Sequence, residues 1–262
     1  MNSEIAIDVN DLGVRFGVNG KEILAFNKLS LKVDAGRFVV LIGPSGCGKS
    51  TLLRTMADLL ASTEGDVRIF GQEPAEARRK RRISFVFQDA TLLPWRTVRQ
   101  NVTLPITVGK WSKLQRECRS PKELIELVGL AGRENAYPHE LSGGQRQRVA
   151  IARALVTKPD VLFMDEPFGA LDEITRDKLN EEMLKIWRET RTTVVFVTHS
   201  LTEAAFLGQS VVVMGTNPGR LVAKVELDAR KPENRIDRAS SEFFAITSEL
   251  RVLLEQAYGG GK

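Results

Sequence analysis

The hydrophobic residues of this chain fall into short runs separated by stretches with helical spacing. The run Phe38–Ile42 contains five consecutive apolar residues, which is typical of a strand buried on both faces of a parallel sheet. Further runs of strand length lie at residues 67–70, 83–87, 161–164, 192–197 and 211–214. Because helical stretches separate several of these runs, the pattern predicts a mostly parallel α/β core.

The first 35 residues follow a different pattern. Apolar and polar residues alternate at 5–9 and again at 29–33, and residues 17–20 contain turn-forming glycines. Alternation of this kind is typical of strands with one buried and one exposed face. We therefore predict a small antiparallel sheet ahead of the α/β core.

Helix signals are clearest in the second half of the chain. Residues 120–123 read Ser-Pro-Lys-Glu, an N-cap, a first-turn proline and a capping-box glutamate, and Gly129 is positioned to end that helix. A later amphipathic stripe consists of Leu179, Met183, Ile186 and Trp187. The strand pattern is absent between residues 89 and 138, which predicts a helical insertion.

The C-terminal region is predicted to contain a charged loop at residues 230–235 and then one amphipathic helix. The helix stripe consists of Phe243, Ile246, Leu250, Leu253 and Leu254. Three glycines at 259–261 follow, and we expect the chain from Gln256 onward to be disordered.

Composition narrows the possible locations of the protein. The 262 residues are 42% hydrophobic and 27% charged, with a net charge of +5, which permits contact with phosphates or lipid headgroups without requiring it. The two cysteines, Cys47 and Cys118, lack C-x-x-C spacing, and the N-terminus carries acids where a signal peptide has basic residues. The apolar runs are far shorter than the roughly 20 residues that span a bilayer. We expect a cytoplasmic protein whose role at a membrane requires a partner.

A phosphate-binding motif occupies residues 43–50, which match G-x-x-x-x-G-K-S between an apolar strand and a helix. Glycines let the backbone curl so that N–H groups point inward, and the helix N-terminus adds a positive dipole. Lys49 is predicted to reach the β and γ phosphates of a bound nucleotide, and the Ser50 hydroxyl to hold Mg²⁺. The predicted nucleotide contacts are Gly43, Pro44, Ser45, Gly46, Cys47, Gly48, Lys49, Ser50 and Thr51.

Two adjacent carboxylates, Asp165 and Glu166, follow the apolar run at 161–164. Asp165 is placed to hold Mg²⁺ through its water shell, and Glu166 to polarise an attacking water as a general base. A strand that ends in Asp-Glu is by itself more often a strand meeting solvent. Combined with a phosphate loop, it indicates nucleoside triphosphate hydrolysis.

Residues 141–145 read Leu-Ser-Gly-Gly-Gln and precede a run of good helix formers. Residues 141–145 resemble a second helix N-terminus that binds an anion, with Ser142 as its N-cap. Together with the phosphate loop, this motif resembles the ABC transporter ATPases, in which it closes over the γ-phosphate held by another subunit. The resemblance implies that Ser142, Gly143, Gly144 and Gln145 contact nucleotide.

The resemblance extends from about residue 5 to about 215 and implies a fold. That fold is a P-loop NTPase (RecA-like) α/β core with an N-terminal antiparallel β-subdomain and an α-helical subdomain inserted at about 89–155. The ATPase domain is expected to cover residues 1–230. Residues 231–262 are expected to form the C-terminal loop and helix.

Several single residues match further family positions. Gln88 matches the glutamine that touches Mg²⁺ and the attacking water and senses the membrane subunit. His199 matches the histidine that contacts the γ-phosphate, and residues 170–172 match the loop that crosses the dimer interface. Phe16 stands where the family places an aromatic ring on adenine; the alternative is that Phe16 packs in the core.

Spacing and composition separate transporters from other relatives. Leu141 comes 92 positions after Lys49, so the long coiled coil of chromosome-maintenance ATPases is excluded. A single ATPase domain argues against the two-domain translation factors. The basic run at 78–82 lacks interleaved aromatics, so we interpret it as a solvated loop and expect no nucleic-acid partner.

Within the family, residues 87–98 and 217–220 are most similar to the importers of nitrate, sulfonates and taurine. The resemblance implies a homodimer or a pair of related ATPase subunits on the inner face of the cell membrane. It also implies integral membrane permease subunits and, indirectly, an extracytoplasmic solute-binding protein. The transported solute is not encoded in this chain. Leu92, Leu93 and Trp95 are either subdomain core or a groove that seats a helix of the membrane subunit.

Overall fold

A computed structural model of the chain describes residues 4–18, 21–108, 116–216, 218–228 and 236–259. The strands are β1 (Ile5–Val18), β2 (Lys21–Asp34), β3 (Phe38–Ile42), β4 (Glu64–Ile69), β5 (Ile83–Val86), β6 (Val161–Asp165), β7 (Thr193–Val197), β8 (Ser210–Gly215) and β9 (Arg220–Glu226). The helices are α1 (Lys49–Met56), α2 (Pro74–Arg79), α3 (Val98–Thr107), α4 (Pro121–Leu127), α5 (Gly143–Leu155), α6 (Glu173–Thr190), α7 (Leu201–Leu207) and α8 (Ser241–Gly259).

The chain divides into two compact units. The first unit contains the residues up to Glu76 together with those from Thr193 onward, and the second unit is Ala77–Thr192. The predicted charged loop at 230–235 lies outside the described residues, as does Asn217. Among the described residues, no helix combines the length and the apolar character needed to cross a bilayer.

The first unit contains the predicted antiparallel sheet, in which β1 lies between β2 and β4. Both β1 and β2 extend well beyond the predicted runs 5–9 and 29–33. The reason is that the β1–β2 register shifts between Val9 and Leu12 and again before Val14, so the alternation of buried and exposed residues is interrupted there. A pattern read with period two therefore loses the strand at each irregularity.

The first unit also contains a parallel sheet segment in which β3 lies between β7 and β8. All residues of these three strands are buried, as expected for strands covered on both faces. Strand β9 pairs antiparallel with β8. Because β3 and β7 are parallel neighbours, their carboxyl ends meet at the same edge of the sheet.

The C-terminal helix α8 packs against β8 and α7 of the first unit. Its predicted stripe is confirmed in part, because Phe243, Ile246 and Leu250 are buried. The expectation of disorder from Gln256 onward is wrong for the described residues, since α8 continues to Gly259. Ala257 is buried seven positions after Leu250, so it extends the same stripe by two turns.

The second unit contains the parallel pair β5 and β6 together with α3, α4, α5 and α6. The predicted start of α4 is confirmed, because the Ser120 hydroxyl accepts a hydrogen bond from the backbone N–H of Glu123. The stripe Leu179, Met183, Ile186 and Trp187 on α6 is buried, as predicted. Helix α5 packs against α3, α4 and α6 and is central to the helical part of this unit.

The basic run at 78–82 differs from the predicted solvated loop. Arg78 and Arg79 form the last turn of α2, and Arg81 has a left-handed backbone with φ 56°. Arg82 pairs with the half-buried carboxylate of Asp160. A carboxylate in that position needs a cation, so the end of the basic run has a structural role.

Candidate functional site

The phosphate loop connects β3 to α1, as the sequence predicts. Gly43 directly follows β3. A Cβ atom at this position would lie 2.5 Å from the carbonyl oxygen of Met214 on β8, so no side chain fits there. Gly48 caps α1 with φ 97°, a conformation that favours glycine. Pro44 and Cys47 are buried between them, whereas Ser45 and Gly46 are exposed. The loop thus follows a tight path against the sheet.

Lys49 is the first residue of α1 and is only 6% exposed. Its ammonium group donates hydrogen bonds to the carbonyl oxygens of Gly43 at 2.8 Å and Pro44 at 3.0 Å. Ser50 and Thr51 follow in the same turn and are half-buried. No acidic residue lies in the first turn of α1, so its positive N-terminal dipole is not neutralised locally. A buried cation and an open helix N-terminus are suited to an anionic phosphate.

The Cys47 side chain packs beneath this loop. Burial raises the pKa of its thiol, and the nearby Lys49 ammonium opposes that shift without reversing it. The thiol is therefore neutral at physiological pH and acts as a small apolar group.

Two residues outside the motif, Phe26 and Gly219, shape the loop, and no spacing in the sequence indicates their role. A Cβ atom on Gly219 would lie 2.4 Å from the carbonyl oxygen of Cys47, and the N–H of Gly219 donates to Ala25 at 2.8 Å. The ring of Phe26 lies 3.2 Å from the Cβ position at Gly48. The motif at 217–220 was interpreted only as a mark of the importer group. Its glycine is in fact required by the close approach of the phosphate loop.

His199 lies between β7 and α7 and is exposed. The turn around it is fixed, because the N–H of Thr198 donates to Leu41 of β3 at 3.2 Å and the N–H of Ser200 donates to the Thr198 hydroxyl at 3.0 Å. The Thr198 hydroxyl also donates to the buried Glu203 carboxylate. His199 therefore lies at the same sheet edge as the phosphate loop that leaves β3.

Phe16 lies on β1 of the antiparallel sheet, opposite Ile23 of β2. Its ring is half-exposed, and Ile23 is 51% exposed. A core-packing phenylalanine would be buried, so this placement argues against the core alternative and leaves the ring accessible for stacking.

Asp165 is the last residue of β6 in the second unit, and Glu166 follows it. Asp165 is buried, whereas Glu166 is half-buried and has φ 46°. The left-handed conformation is strained for a residue with a side chain, and such strain clusters at functional sites. A buried carboxylate followed by a half-buried one is compatible with the predicted roles of a metal-holding group and a base.

Gln88 and Glu166 approach each other at Gly169. A Cβ atom at residue 169 would lie 3.7 Å from the Gln88 amide nitrogen and 3.8 Å from a Glu166 carboxylate oxygen. The structure thus brings together two predicted catalytic residues that are far apart in sequence. Gly169 was not among the predicted site residues, although any side chain there would contact both groups.

The Leu-Ser-Gly-Gly-Gln motif forms the start of α5, with Ser142 as its N-cap. The Ser142 hydroxyl accepts a hydrogen bond from the N–H of Gln145 at 3.2 Å, and the Gln145 side-chain oxygen accepts one from the N–H of Ser142 at 2.9 Å. This reciprocal pair is a capping box. Ser142 and Gly143 are exposed, and no acidic residue lies in the first turn.

Gly144 is the buried residue of that motif and lies close to α6. A Cβ atom there would lie 3.0 Å from the Thr175 methyl group on α6, so glycine allows the two helices to approach closely. The predicted interface loop at 170–172 precedes α6. Asp172 caps α6 by accepting a hydrogen bond from the N–H of Thr175 at 2.9 Å, and the hydrogen bonds from Thr175 lower the pKa of its carboxyl.

The residues after Gln88 divide between the two predicted environments. Leu92 and Leu93 are half-buried, whereas Trp95 is 70% exposed. Trp95 therefore lies on the surface, and the subdomain-core alternative does not hold for it.

Within the described residues, no cluster of three or more histidine, cysteine or acidic side chains could hold a metal ion. Of the predicted metal ligands, Ser50 lies in the first unit, and Gln88 and Asp165 lie in the second; each carries an oxygen of the kind that Mg²⁺ prefers.

Comparison with known proteins agrees with these features. The family model described as "ABC transporter" matches residues 26–169. The chain is 43% identical over 240 residues to the taurine import ATP-binding protein of Rhizobium johnstonii, covering 90% of each protein. It is 40% identical over 251 residues to the aliphatic sulfonates import ATP-binding protein of Bacillus subtilis, covering 96% of this chain and 94% of that one.

A solved structure shares both the fold and the sequence pattern. It is a dimeric ATP-binding cassette in a post-hydrolysis state with ADP and phosphate, with a TM-score of 0.72 and 31% identity. The match covers 85% of this chain and 99% of that one. The predicted fold class is confirmed, and this chain belongs to the ABC transporter family of ATP-binding proteins.

Proposed function

We propose that this chain is the ATP-binding and ATP-hydrolysing subunit of a multi-subunit importer for a small solute of the nitrate, sulfonate or taurine class. The observation that carries the proposal is one chain with both a tight phosphate loop and a capped Leu-Ser-Gly-Gly-Gln helix. Its similarity to proteins named for taurine and sulfonate import, over nine-tenths of its length, supports the importer assignment.

The phosphate loop binds the triphosphate of ATP in this proposal. Its backbone N–H groups and the N-terminus of α1 receive the phosphate oxygens, and the Lys49 ammonium exchanges its loop carbonyls for the β and γ phosphates. Phe16 stacks on the adenine ring, for which its half-exposed position is suitable.

Mg²⁺ is the proposed cofactor, because hydroxyl, amide and carboxylate oxygens are the donors that it prefers. The proposed ligands are the Ser50 hydroxyl, the Gln88 side-chain oxygen and the Asp165 carboxylate, the last through water. The chemistry that Mg²⁺ supplies when bound is neutralisation of charge on the phosphate oxygens.

Hydrolysis requires a base and a group that orients the water. Glu166 accepts a proton from the attacking water while the water oxygen forms a bond to the γ-phosphorus and the bond to the bridging oxygen of ADP breaks. Gln88, which approaches Glu166 at Gly169, orients that water. His199 donates to the γ-phosphate and stabilises its developing charge. The products are ADP and inorganic phosphate.

Two ATPase subunits form the working unit in this proposal. Two copies of the chain, or this chain and a related subunit, close head to tail so that Ser142, Gly143 and Gly144 of each approach the nucleotide held by the other. The exposed Ser142 and Gly143 and the uncompensated dipole of α5 support this role. The pair lies on the inner face of the membrane and drives permease subunits that receive solute from an extracytoplasmic binding protein.

The test is uptake by vesicles that contain the chain with the membrane subunits encoded beside it. Radiolabelled taurine, an alkanesulfonate and nitrate are supplied in turn with the neighbouring solute-binding protein. We expect ATP-dependent uptake of one of them, abolished by Lys49→Ala. Uptake that continues at the wild-type rate in the Lys49→Ala complex would contradict the proposal.

A further inference from the structure

The turn that carries His199 is attached to the strand from which the phosphate loop leaves. The N–H of Thr198 donates to the carbonyl oxygen of Leu41 at 3.2 Å, and Leu41 lies two residues before Gly43. This hydrogen bond fixes where the turn begins. It does not fix the backbone dihedral angles of the next residue, which decide where the imidazole points.

A closed set of side-chain hydrogen bonds defines the rest of the turn. The Thr198 hydroxyl accepts a hydrogen bond from the N–H of Ser200 at 3.0 Å and donates to the carboxylate of Glu203. The Ser200 hydroxyl accepts one from the N–H of Glu203 at 3.2 Å, as the N-cap of α7. His199 therefore lies between two residues that are both bonded to each other and to the first turn of α7.

Glu203 is the unexpected member of this set, because it is only 4% exposed. An acidic residue in the first turn stabilises a helix from an exposed position, whereas a buried carboxylate costs free energy unless it is hydrogen-bonded. The cap of α7 does not require this carboxylate, since the Ser200 hydroxyl already accepts from the N–H of Glu203. A charged acceptor does, however, orient the Thr198 hydroxyl hydrogen and leave the hydroxyl lone pairs for the N–H of Ser200.

The helix that carries Glu203 is itself held in place. Helix α7 packs against β3 and against α8. The ring of Phe206, one turn after Glu203, lies 4.1 Å from the guanidinium carbon of Arg238, a cation–π contact from the segment before α8. The Glu203 carboxylate is therefore a fixed reference point for the turn beside it.

We propose that Glu203, acting through the Thr198 hydroxyl, is a positioning residue that sets the orientation of His199 toward the γ-phosphate. The inference rests on the proposed function, in which His199 donates to that phosphate. A donor lowers the barrier most when it is already in place, because no reorganisation is then required during the reaction. His199 is exposed, so the hydrogen bonds of its neighbours supply the order that burial would otherwise give.

Steady-state ATP hydrolysis by the full chain is the first measurement. Thr198→Val removes the hydroxyl at nearly constant shape, and Thr198→Ser restores it. Thr193→Val is the matched control, because Thr193 is also buried and its hydroxyl accepts a hydrogen bond from the N–H of Gly36 at 3.0 Å. Thr193 is the first residue of β7, whereas Thr198 directly follows the last.

We expect Thr198→Val to lower kcat about 10-fold and to leave KM for ATP nearly unchanged, because the phosphate loop is intact and only a transition-state contact is misplaced. Thr198→Ser should recover most of the rate. In a His199→Ala chain, itself slowed about 100-fold, Thr198→Val should lower kcat no further, since its effect acts through His199. Thr193→Val should keep the wild-type kcat even where it lowers the melting temperature.

A second measurement does not depend on hydrolysis. The chain contains two histidines, His139 and His199, so NMR spectra of the chain with isotope-labelled histidine contain two sets of ring signals. The set that is lost in His199→Ala belongs to His199. Thr198→Val should shift or broaden that set and leave the His139 signals in place, whereas Thr193→Val should change neither.

Three results would overturn the inference. They are a wild-type kcat in Thr198→Val, an equal fall of kcat in Thr193→Val, and an additive loss when Thr198→Val is combined with His199→Ala. If Thr198→Val fails to fold, Glu203→Gln decides the question, because its amide keeps an acceptor oxygen without the charge. Its kcat should fall about 3-fold, and a wild-type kcat with unchanged His199 signals would contradict the inference.

Failure of the proposed function gives a different result. A wild-type rate of hydrolysis in His199→Ala would count against the proposed role of His199 at the γ-phosphate. Altered His199 signals in Thr198→Val would still show that the hydroxyl orients this ring, whereas unchanged signals would show that it does not.

Discussion

The phosphate loop and the segment after Gln88 are both irregular backbone that follows a strand, but they are held in different ways. The phosphate loop is held by hydrogen bonds from the Lys49 ammonium to carbonyl oxygens of the loop itself, and by close backbone contacts at Gly43 and Gly219. The segment after Gln88 is held by side chains that come from other helices, Asn101 and Arg153.

The difference explains what each region can do. A loop defined by local backbone contacts keeps its shape while the rest of the chain moves, which suits binding of one invariant group, a triphosphate. A segment defined by side chains of α3 and α5 moves when those helices move, which suits transmission of a displacement. The comparison predicts different consequences for substitutions in the two regions.

The largest effect is expected for Glu166, the proposed base, which lies near Gln88 at the start of the segment that Asn101 and Arg153 hold. Glu166→Gln should lower ATP turnover by about 10²- to 10⁴-fold, because an amide cannot accept the proton of the attacking water. ATP binding should persist, since the phosphate loop is intact. Steady-state hydrolysis and binding of a fluorescent ATP analogue measure the two properties, with the exposed Glu173→Gln as control. Equal turnover in wild type and Glu166→Gln would remove Glu166 as the base.

The second effect belongs to the locally held loop. Lys49→Ala should weaken ATP binding by about 10- to 100-fold, the equivalent of charge-assisted hydrogen bonds to phosphate. Titration of the same fluorescent analogue gives the affinity. Lys178→Ala, on the exposed face of α6, serves as control. An unchanged affinity in Lys49→Ala would contradict the phosphate-loop assignment.

A smaller effect is expected at Gly219, which lies outside the phosphate-loop motif but contacts the loop. Gly219→Ala should lower the free energy of unfolding by about 1–3 kcal/mol, because its Cβ would overlap the Cys47 carbonyl oxygen and the backbone must shift. Gly17→Ala is the matched control, since no atom lies within 4 Å of its Cβ position. Chemical denaturation measures both variants. Equal stability in the two would show that the loop does not depend on residue 219.

The smallest effect concerns pH. Because hydrogen bonds from Thr175 lower the pKa of Asp172 in the folded state, this carboxylate stabilises the fold above its unfolded pKa of about 3.9, and that contribution is lost as pH falls through the lower folded value. Asp172→Asn keeps a capping acceptor without the titration. The urea midpoint of the wild type should therefore fall more steeply below pH 4 than that of Asp172→Asn. Parallel curves would exclude Asp172 as a contributor.

The same contrast explains how much could be predicted from sequence. The strand β3, the phosphate loop and α1 are contiguous, so the spacing of a few residues predicts them. The confirmed cap of α4 and the confirmed stripe of α6 are equally local. The lengths of β1 and β2 were underestimated because bulges interrupt their alternation.

What the sequence could not reveal depends on contacts between distant residues. Gly219 meets Cys47, and Gly169 meets Gln88, across separations that no pattern of spacing encodes. Asn101 carries no motif, and its importance is visible only in its four hydrogen-bond contacts. The roles assigned to Gln88, Glu166 and Ser142 remain predictions that the kinetic experiments address.

The capping box at Ser142 and Gln145 has a consequence for the speed of assembly. Because the two residues already satisfy each other's backbone N–H groups, the first turn of α5 is ordered before any second subunit arrives. An encounter between two subunits then loses little backbone entropy at that surface and needs no local folding step. Ordering of the α5 N-terminus would therefore not slow association of the proposed pair.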